Sequence, residues 1–203
     1  AITGLNLGGG MAVIIGDASK QKTEAFLRRF GKFINSLGGK YWTAEDVNMK
    51  TSDMQYIGME TKYVTGLPET MGGGGDPSPV TAYGTYLGIK ASVKKVYGTE
   101  DLKGKTVGVQ GVGQVGMYLV EHLVKEGAKV YITDISQEKL KKVASASGAT
   151  VVGMDDIYDL DMDIYAPCAL GATLNSATIP RLKCQIVAGA ANNQLAEEKI
   201  HGY

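Results

Sequence analysis

The chain has 203 residues, of which 21 are basic and 21 acidic, so its formal net charge at neutral pH is zero. This balance, without a long run of one sign, argues against nucleic acid as a partner. Hydrophobic residues make up 44% of the chain, which is enough for a packed core, while every apolar run is too short for a membrane span. We therefore expect neither nucleic acid nor a membrane as a partner.

The cysteines and the chain ends add further expectations. Cys168 and Cys184 lack the spacing of metal ligands and suit a reducing cytoplasm, so we expect buried thiols and no metal site. No N-terminal stretch has the charged, apolar and cleavage regions of a signal peptide. The chain begins at Ala1 without a methionine and soon enters an apolar run, which suggests a segment of a longer protein.

The N-terminal part of the chain predicts a mixture of short strands and helices. Met11–Ile15 is an apolar run and predicts a buried strand. Apolar residues at every third or fourth position predict an amphipathic helix over Thr23–Leu37. The basic residues around this helix, Lys22 among them, are assigned to a solvated face. The remaining elements expected here are a helix at Ser52–Glu60 and short strands at Tyr41–Thr43 and Tyr63–Thr65.

A run of four glycines, Gly72–Gly75, predicts a mobile connection. Ser78 is a natural N-cap and predicts a helix over Pro79–Tyr97. We place a domain boundary at this connection, with residues 1–76 on one side and residues 77–203 on the other. The helix is expected to bury Val80, Tyr83, Leu87, Val93 and Val96 or their close neighbours.

Strands and helices alternate regularly in the rest of the chain, and the strands are mostly apolar. Such alternation predicts an α/β fold with a doubly wound parallel sheet, because buried strands joined by helices pair in parallel. The expected strands are Thr106–Gln110, Val130–Thr133, Ala149–Val152, Asp163–Ala166 and Gln185–Ala188. The expected helices are Val115–Lys125, Gln137–Ala146 with Ser136 as its cap, and a short one around Ser176–Leu182, and a turn is expected at Asp155–Tyr158.

A glycine motif, Gly111-x-Gly113-x-x-Gly116, lies between the first of these strands and the helix that follows it. In a Rossmann-type sheet the first glycine allows the turn, the second lets backbone approach a pyrophosphate, and the third brings the helix close to the sheet. The free N–H groups at the helix N-terminus then bind the phosphates. An ordinary α/β turn that requires glycines is the alternative. The segment expected to contact the cofactor consists of Gly111, Val112, Gly113, Gln114, Val115 and Gly116.

The acid at the end of the next strand indicates which dinucleotide is bound. Asp134 can accept hydrogen bonds from both ribose hydroxyls of an adenosine and would repel a 2′-phosphate, so the pattern indicates NAD. Ligands of parallel sheets bind at the carboxyl ends of the strands. Gly111, Asp134, Ala166–Leu170 and Gly189–Asn193 all follow strands, and we expect them to converge on one crevice.

Five motifs follow one another along the chain: LNLGGGMAVII at Leu5–Ile15, YWTAEDV at Tyr41–Val47, DPSPVTAYG at Asp76–Gly84, DIYAPCALG at Asp163–Gly171 and AGAANNQL at Ala188–Leu195. Together they resemble the glutamate/leucine/phenylalanine/valine dehydrogenase family, and above all its leucine dehydrogenase branch. The resemblance implies reversible NAD-dependent oxidative deamination of L-leucine and other branched-chain L-amino acids to 2-oxo acids and ammonia. It also implies a cytoplasmic homo-oligomer.

The resemblance also gives roles to the two parts of the chain. Residues 1–76 would be part of a smaller α/β substrate domain that also carries catalytic residues, and residues 77–203 a Rossmann-type NAD domain without its C-terminal part. A missing N-terminal segment would carry a lysine for the substrate carboxylate. A missing C-terminal segment would complete the sheet and return to the first domain.

Site residues carry over from the family position by position. Asp46 matches the catalytic aspartate, which would transfer protons to and from the substrate amine and its intermediates. Thr81 matches a threonine that meets the nicotinamide amide. Ala169 and Leu170 would line the nicotinamide ribose through their backbone, and Asn193 matches an asparagine near the nicotinamide and the substrate.

Met11 stands where the family has its central catalytic lysine, directly after Gly8–Gly10. A thioether has no proton to exchange and no charge, so this side chain can do neither task of the lysine and is expected to fill an apolar gap. Three explanations remain: an engineered or accidental substitution, a non-catalytic relative, or a relative that uses another base. We expect little or no deaminase activity from the chain with Met11.

Two other functions remain as alternatives. The first is a non-catalytic NAD-binding relative or sensor, which the methionine favours. The second is a dehydrogenase of hydroxy acids. It requires a histidine and arginine pair, and neither His122 nor His201 lies in a pattern that supplies one.

Overall fold

The computed structural model describes residues 4–199, and the chain divides into two units, Ala1–Pro77 and Ser78–Tyr203. The substrate-binding and cofactor-binding roles given to residues 1–76 and 77–203 stay predictions. His201 lies outside the described residues. Within residues 4–199, no helix combines the length and the apolar character that crossing a membrane requires.

The described part of the first unit contains three α-helices and one 3₁₀ helix, joined by irregular segments. The predicted helix over Thr23–Leu37 is confirmed, and Thr23 Oγ1 caps it by accepting a hydrogen bond from the Phe26 N–H at 3.3 Å. Its Gly31 allows close packing on the next long helix, since a Cβ there would lie 2.6 Å from the Ile57 carbonyl oxygen. The helices are α1 (Ala18–Gln21), α2 (Glu24–Ser36) and α3 (Thr51–Gly58), with a 3₁₀ helix at Glu69–Met71.

The predicted strand at Met11–Ile15 is wrong. The segment has no regular structure, and Met11 and Ile15 are 72% and 98% exposed. A strand needs a neighbour that pairs with its N–H and C=O groups, and no described pairing involves this segment. The short strands predicted at Tyr41–Thr43 and Tyr63–Thr65 reduce to one parallel bridge between Thr43 and Val64.

The second unit contains a parallel five-stranded sheet with flanking helices, which confirms the predicted fold class. The strand order is β3-β2-β1-β4-β5, and every neighbouring pair is parallel. The strands are β1 (Thr106–Gln110), β2 (Lys129–Thr133), β3 (Thr150–Val151), β4 (Ile164–Pro167) and β5 (Ile186–Val187). The helices are α4 (Ser78–Tyr97), α5 (Gln114–Lys125) and α6 (Gln137–Ser147), with 3₁₀ helices at Asp156–Asp159 and Ile179–Arg181.

Each face of the sheet has its own apolar cluster. Ile164 and Ala166 of β4 belong to the larger cluster, which contains residues of α4, α5 and α6. Tyr165 between them packs with Ile157 and Met162 in a second cluster. Successive side chains of a strand point to opposite faces, so the two clusters cover the two sides of the sheet.

Two predictions about helices need correction. Helix α4 buries Ala82, Ile89 and Val93. Of the five residues named in the prediction only Val93 is buried, although the buried Ala82 is a direct neighbour of the named Tyr83. The reason is that α4 has apolar residues on several sides, and the side that carries Ala82, Ile89 and Val93 packs into the larger apolar cluster. The helix predicted at Ser176–Leu182 is only the 3₁₀ turn Ile179–Arg181. The predicted residues of α4 that are exposed are Val80, Tyr83, Leu87 and Val96.

Candidate functional site

The turn after β1 has the close contacts that its glycines permit. Gly111 has a φ of 96° and donates its N–H to the Thr133 carbonyl at 2.8 Å. A Cβ on this residue would lie 2.6 Å from the Ala169 nitrogen. A Cβ on Gly116, in the first turn of α5, would collide with the Gly111 carbonyl oxygen. Both positions therefore require glycine for packing alone.

Gly113 differs from the other two glycines of the motif, because no packing contact within the chain requires glycine at this position. It is the N-cap of α5 with a φ of −68°, and a Cβ there would meet no atom within 4 Å. The N–H groups of the first helical turn have no partners within a helix. An open approach to these groups fits an anionic group such as a pyrophosphate.

The other members of the predicted cofactor segment have different surroundings. Val112 is buried in the larger apolar cluster and Val115 packs against it, so these two can offer only backbone to a ligand. Gln114, the first residue of α5, is exposed.

Asp134 lies beside the glycine turn. Its Oδ2 accepts a hydrogen bond from the Val112 N–H and its Oδ1 accepts one from the Ser136 N–H, each at 2.8 Å. These bonds fix the carboxylate at the carboxyl end of β2. Each oxygen of a carboxylate has a second lone pair, so Asp134 can still accept hydrogen bonds from ribose hydroxyls.

The segment after β4 lies against the same turn. The Cys168 N–H donates to the Gln110 carbonyl at 2.7 Å, Ala169 adjoins Gly111, and Leu170 is exposed. Burial raises the pKa of the Cys168 thiol to about 11, so this free cysteine is a protonated structural group at neutral pH.

Asn193 lies near this segment, and Thr81 belongs to helix α4 of the same unit. The Asn193 carbonyl accepts the Ala172 N–H at 2.8 Å, and a Cβ on Gly171 would collide with Asn193. Thr81 is in the first turn of α4, where its carbonyl accepts the Thr85 hydroxyl at 2.9 Å. The structure thus gathers the residues after β1, β2, β4 and β5, while the cofactor-binding roles of these residues and of Thr81 stay predictions.

A cavity of about 450 Å³ lies within the first unit, and both Met11 and Asp46 line it. Asp46 begins a tight turn, in which its carbonyl accepts the Met49 N–H at 2.9 Å and its Oδ1 accepts the Val47 N–H at 2.8 Å. Asp46 is exposed, so its carboxylate is accessible to a ligand in the cavity. The predicted catalytic pair therefore shares one cavity, although its methionine carries no ionisable group.

Glu45, next to Asp46, adds another carboxyl group to the lining of this cavity. Its pKa is raised, first by burial and then by the negative charge of Asp76, while a hydrogen bond from the Thr51 hydroxyl opposes the rise. Two adjacent carboxyl groups therefore differ in environment, one partly buried and one exposed.

Lys22 was not expected in the cavity lining. The sequence assigns it to a solvated face, yet its side chain is only 19% exposed and pairs with Asp53. Lys22 precedes the cap of α2 and so does not belong to the helix face at all. The position of Lys22 before the cap of α2 could have shown that it is not on the helix face. Its partner Asp53 could not have been predicted, because it is distant in the sequence and no pattern links the two residues. Within residues 4–199, no group of three or more His, Cys, Asp or Glu is arranged to hold a metal ion.

Family models match both units. Residues 1–63 match a model described as the dimerisation domain of Glu/Leu/Phe/Val dehydrogenase, and residues 72–136 match one described as Glutamate/Leucine/Phenylalanine/Valine dehydrogenase. Dehydrogenases of this family generally use a nicotinamide cofactor.

Individual relatives match the chain from end to end. Leucine dehydrogenases from Thermoactinomyces intermedius and Bacillus subtilis are each 54% identical over 202 residues, which is 100% of this chain and 55% of the relative. The crystal structure of L-tryptophan dehydrogenase from Nostoc punctiforme superposes with a TM-score of 0.72 at 43% identity, covering 98% of this chain and 56% of that one. The chain thus spans about half the length of the curated relatives that it matches. From these matches, the chain belongs to the glutamate/leucine/phenylalanine/valine dehydrogenase family.

Proposed function

We propose that this protein is an NAD-dependent amino-acid dehydrogenase of the leucine dehydrogenase type. Its reaction is the reversible oxidative deamination of L-leucine and other branched-chain L-amino acids to 2-oxo acids and ammonia. The observation that carries the proposal is the contact between the glycine turn and Asp134, in which the Val112 N–H donates to the carboxylate at 2.8 Å. The 54% identity to leucine dehydrogenases supports the choice of substrate.

NAD fits the second unit better than its 2′-phosphorylated form. The N–H groups at the start of α5 suit the pyrophosphate, and the open space at Gly113 lets it approach. Asp134 suits two ribose hydroxyls, and its negative charge disfavours a phosphate at the same place. We assign contacts on the nicotinamide side to Thr81, Ala169, Leu170 and Asn193. When bound, NAD would supply the hydride acceptor for the carbon that carries the amino group.

Asp46 is the proposed acid and base of the first unit. Its carboxylate moves a proton to or from the amino group of the substrate, and its place on the cavity supports this role. Met11 lines the same cavity and cannot hold a proton or a positive charge. We therefore propose that the chain retains cofactor binding but has little deaminase activity.

Replacing Met11 by lysine tests this proposal. In the full-length protein, Met11→Lys should raise the rate of L-leucine oxidation by about 10²-fold or more, because a positioned proton-transfer group contributes about 10²–10⁴-fold. Formation of NADH at 340 nm measures the rate. Met59→Lys is the matched control, since Met59 is an exposed methionine of the same unit and outside the cavity lining. Ordinary turnover by the Met11 form, or none after Met11→Lys, would contradict the proposal.

A non-catalytic NAD-binding protein or sensor is the second candidate, and Met11 is the observation that favours it. Binding of NADH can be measured by fluorescence independently of turnover. Tight NADH binding, with no oxidation of leucine, valine or isoleucine even after Met11→Lys, would select this function.

Assembly and location are part of the proposal. The description of the first family model as a dimerisation domain supports a homo-oligomer. We assign the protein to the cytoplasm because its two cysteines are free and nothing in its composition favours an oxidising compartment.

A further inference from the structure

Lys22 holds together two parts of the first unit. Its ammonium donates to Asp53 Oδ2 at 2.6 Å and to the Asn48 carbonyl oxygen at 2.6 Å. The same Asp53 oxygen accepts the Lys50 N–H at 2.8 Å, at the start of α3. The ammonium therefore joins the first turn of α3 to the chain that enters it.

The pair is mostly shielded from solvent. The side chains of Lys22 and Asp53 are only 19% and 10% exposed, unlike the lysine–carboxylate pair between Lys20 and Asp17, whose side chains are 81% and 49% exposed. Exposed pairs contribute little, whereas removing one partner of a shielded pair leaves an uncompensated charge. The geometry of this pair is therefore strongly maintained.

The segment that Lys22 anchors is the turn that begins at Asp46. The Met49 N–H closes the turn on the Asp46 carbonyl, and Asn48 has a φ of 62°, which non-glycine residues seldom adopt. An Asn48 carbonyl held by an ammonium stabilises this conformation. The orientation of the Asp46 backbone, and with it the direction of the carboxylate, follows from the same turn.

We propose that Lys22 is a positioning residue, which through Asp53 and the Asn48 carbonyl holds the Asp46 carboxylate in its working direction in the cavity. This role rests on the proposed function in so far as Asp46 is the acid and base. The positioning role requires no proton transfer by Lys22 itself. Lys22 acts through two of its three N–H donors, which bind Asp53 and the Asn48 carbonyl.

The test uses the full-length protein with Met11→Lys as the parent, and four changes in it. Lys22→Met removes the anchor, and Lys22→Arg keeps a cation that can reach the same acceptors. The double variant Lys22→Met/Asp53→Asn removes the anchor without leaving an uncompensated charge. Its asparagine side chain still offers an oxygen that can accept the Lys50 N–H. Lys32→Met is the matched control, since Lys32 is an exposed lysine whose carboxylate partner, Glu60, is 3.9 Å away.

The kinetic expectation separates positioning from support of the fold. Lys22→Met should lower kcat by about 10²-fold, as small misplacements of a catalytic group do, with KM for NAD unchanged. Lys22→Arg should recover most of this loss. The double variant should recover thermal stability while its kcat stays low, and Lys32→Met should match the parent. Recovery of kcat together with stability in the double variant would overturn the proposal.

A second readout does not depend on activity. Hydrogen exchange of the Met49 amide, which closes the turn, should become at least about tenfold faster in Lys22→Met, while the amides of Leu27 and Ile57 in α2 and α3 keep their protection. Unchanged exchange at Met49, or equal acceleration at all three amides, would overturn the proposal. If Met11→Lys showed no turnover, the proposed function would fail while this readout still tested the anchor.

Discussion

The three glycines of the β1–α5 turn have different physical reasons for being glycine. Gly111 and Gly116 are required because a side chain on either would collide with backbone. Gly113 has open space where a Cβ would lie. The packing of the chain does not require glycine at this position, which supports the proposal that a ligand approaches the backbone closely there.

Two alanine substitutions in this turn should therefore have opposite profiles. Gly116→Ala should lower the free energy of unfolding by about 1–3 kcal/mol, because overpacking against the Gly111 carbonyl outweighs the gain of about 1 kcal/mol that alanine brings to a helix. Gly113→Ala should leave stability nearly unchanged and weaken NADH binding by about tenfold, equal to about 1.4 kcal/mol. Urea unfolding and NADH fluorescence titration measure the two effects. A stabilising Gly116→Ala, or a Gly113→Ala variant with unchanged NADH affinity, would contradict this account.

Single residues also show where sequence patterns stop being informative. Asp134 is placed correctly because it follows a buried strand, and strand ends of a parallel sheet meet at one edge. The pairing of Lys22 with Asp53 is not predictable in this way, because neither residue lies on a repeating pattern that includes the other. Contacts between distant residues on irregular segments depend on the tertiary fold.

At the scale of elements, the helices and strands predicted from the sequence agree with the structure better in the second unit than in the first. Strand β1 has the predicted bounds, since an apolar run between Lys105 and Gly111 can pair on both sides within this chain. Met11–Ile15 is equally apolar, but no described strand lies beside it. An apolar run thus indicates a strand only where the fold supplies a partner.

Helix α6 offers a test of the capping argument, because its predicted cap is confirmed. Ser136 Oγ accepts the Lys139 N–H at 3.4 Å, and Gly148 ends the helix with a φ of 76°. Ser136→Ala should lower the free energy of unfolding by about 1 kcal/mol, which thermal or urea unfolding measures. Ser145→Ala, at an exposed position within α6, is the control and should be neutral or slightly stabilising, since alanine favours helix. Equal effects of the two substitutions would show that the cap contributes nothing.

At the scale of the whole molecule, the sequence is informative about the cofactor side and less so about the catalytic side. Alternating strands and helices define the sheet, and the glycine motif marks its carboxyl edge, so the fold class and the proposed cofactor site both follow from local patterns. The cavity in the first unit is built by irregular segments such as those of Met11 and Asp46. Only the resemblance to a family identified those two residues as a pair.

The second unit should fold and bind NADH by itself when produced as residues 78–203. Helix α4 belongs to its core, because Ala82, Ile89 and Val93 are fully buried in the same apolar cluster as β1. This fragment contains every proposed cofactor contact, so its Kd for NADH should lie within about threefold of the value for residues 1–203. A fragment of residues 98–203, which lacks α4, should lose cooperative unfolding, since the apolar surface beneath that helix would be uncovered. Cooperative unfolding of the shorter fragment would show that α4 is dispensable to the core. A folded 78–203 fragment without NADH affinity would place essential cofactor contacts outside this unit.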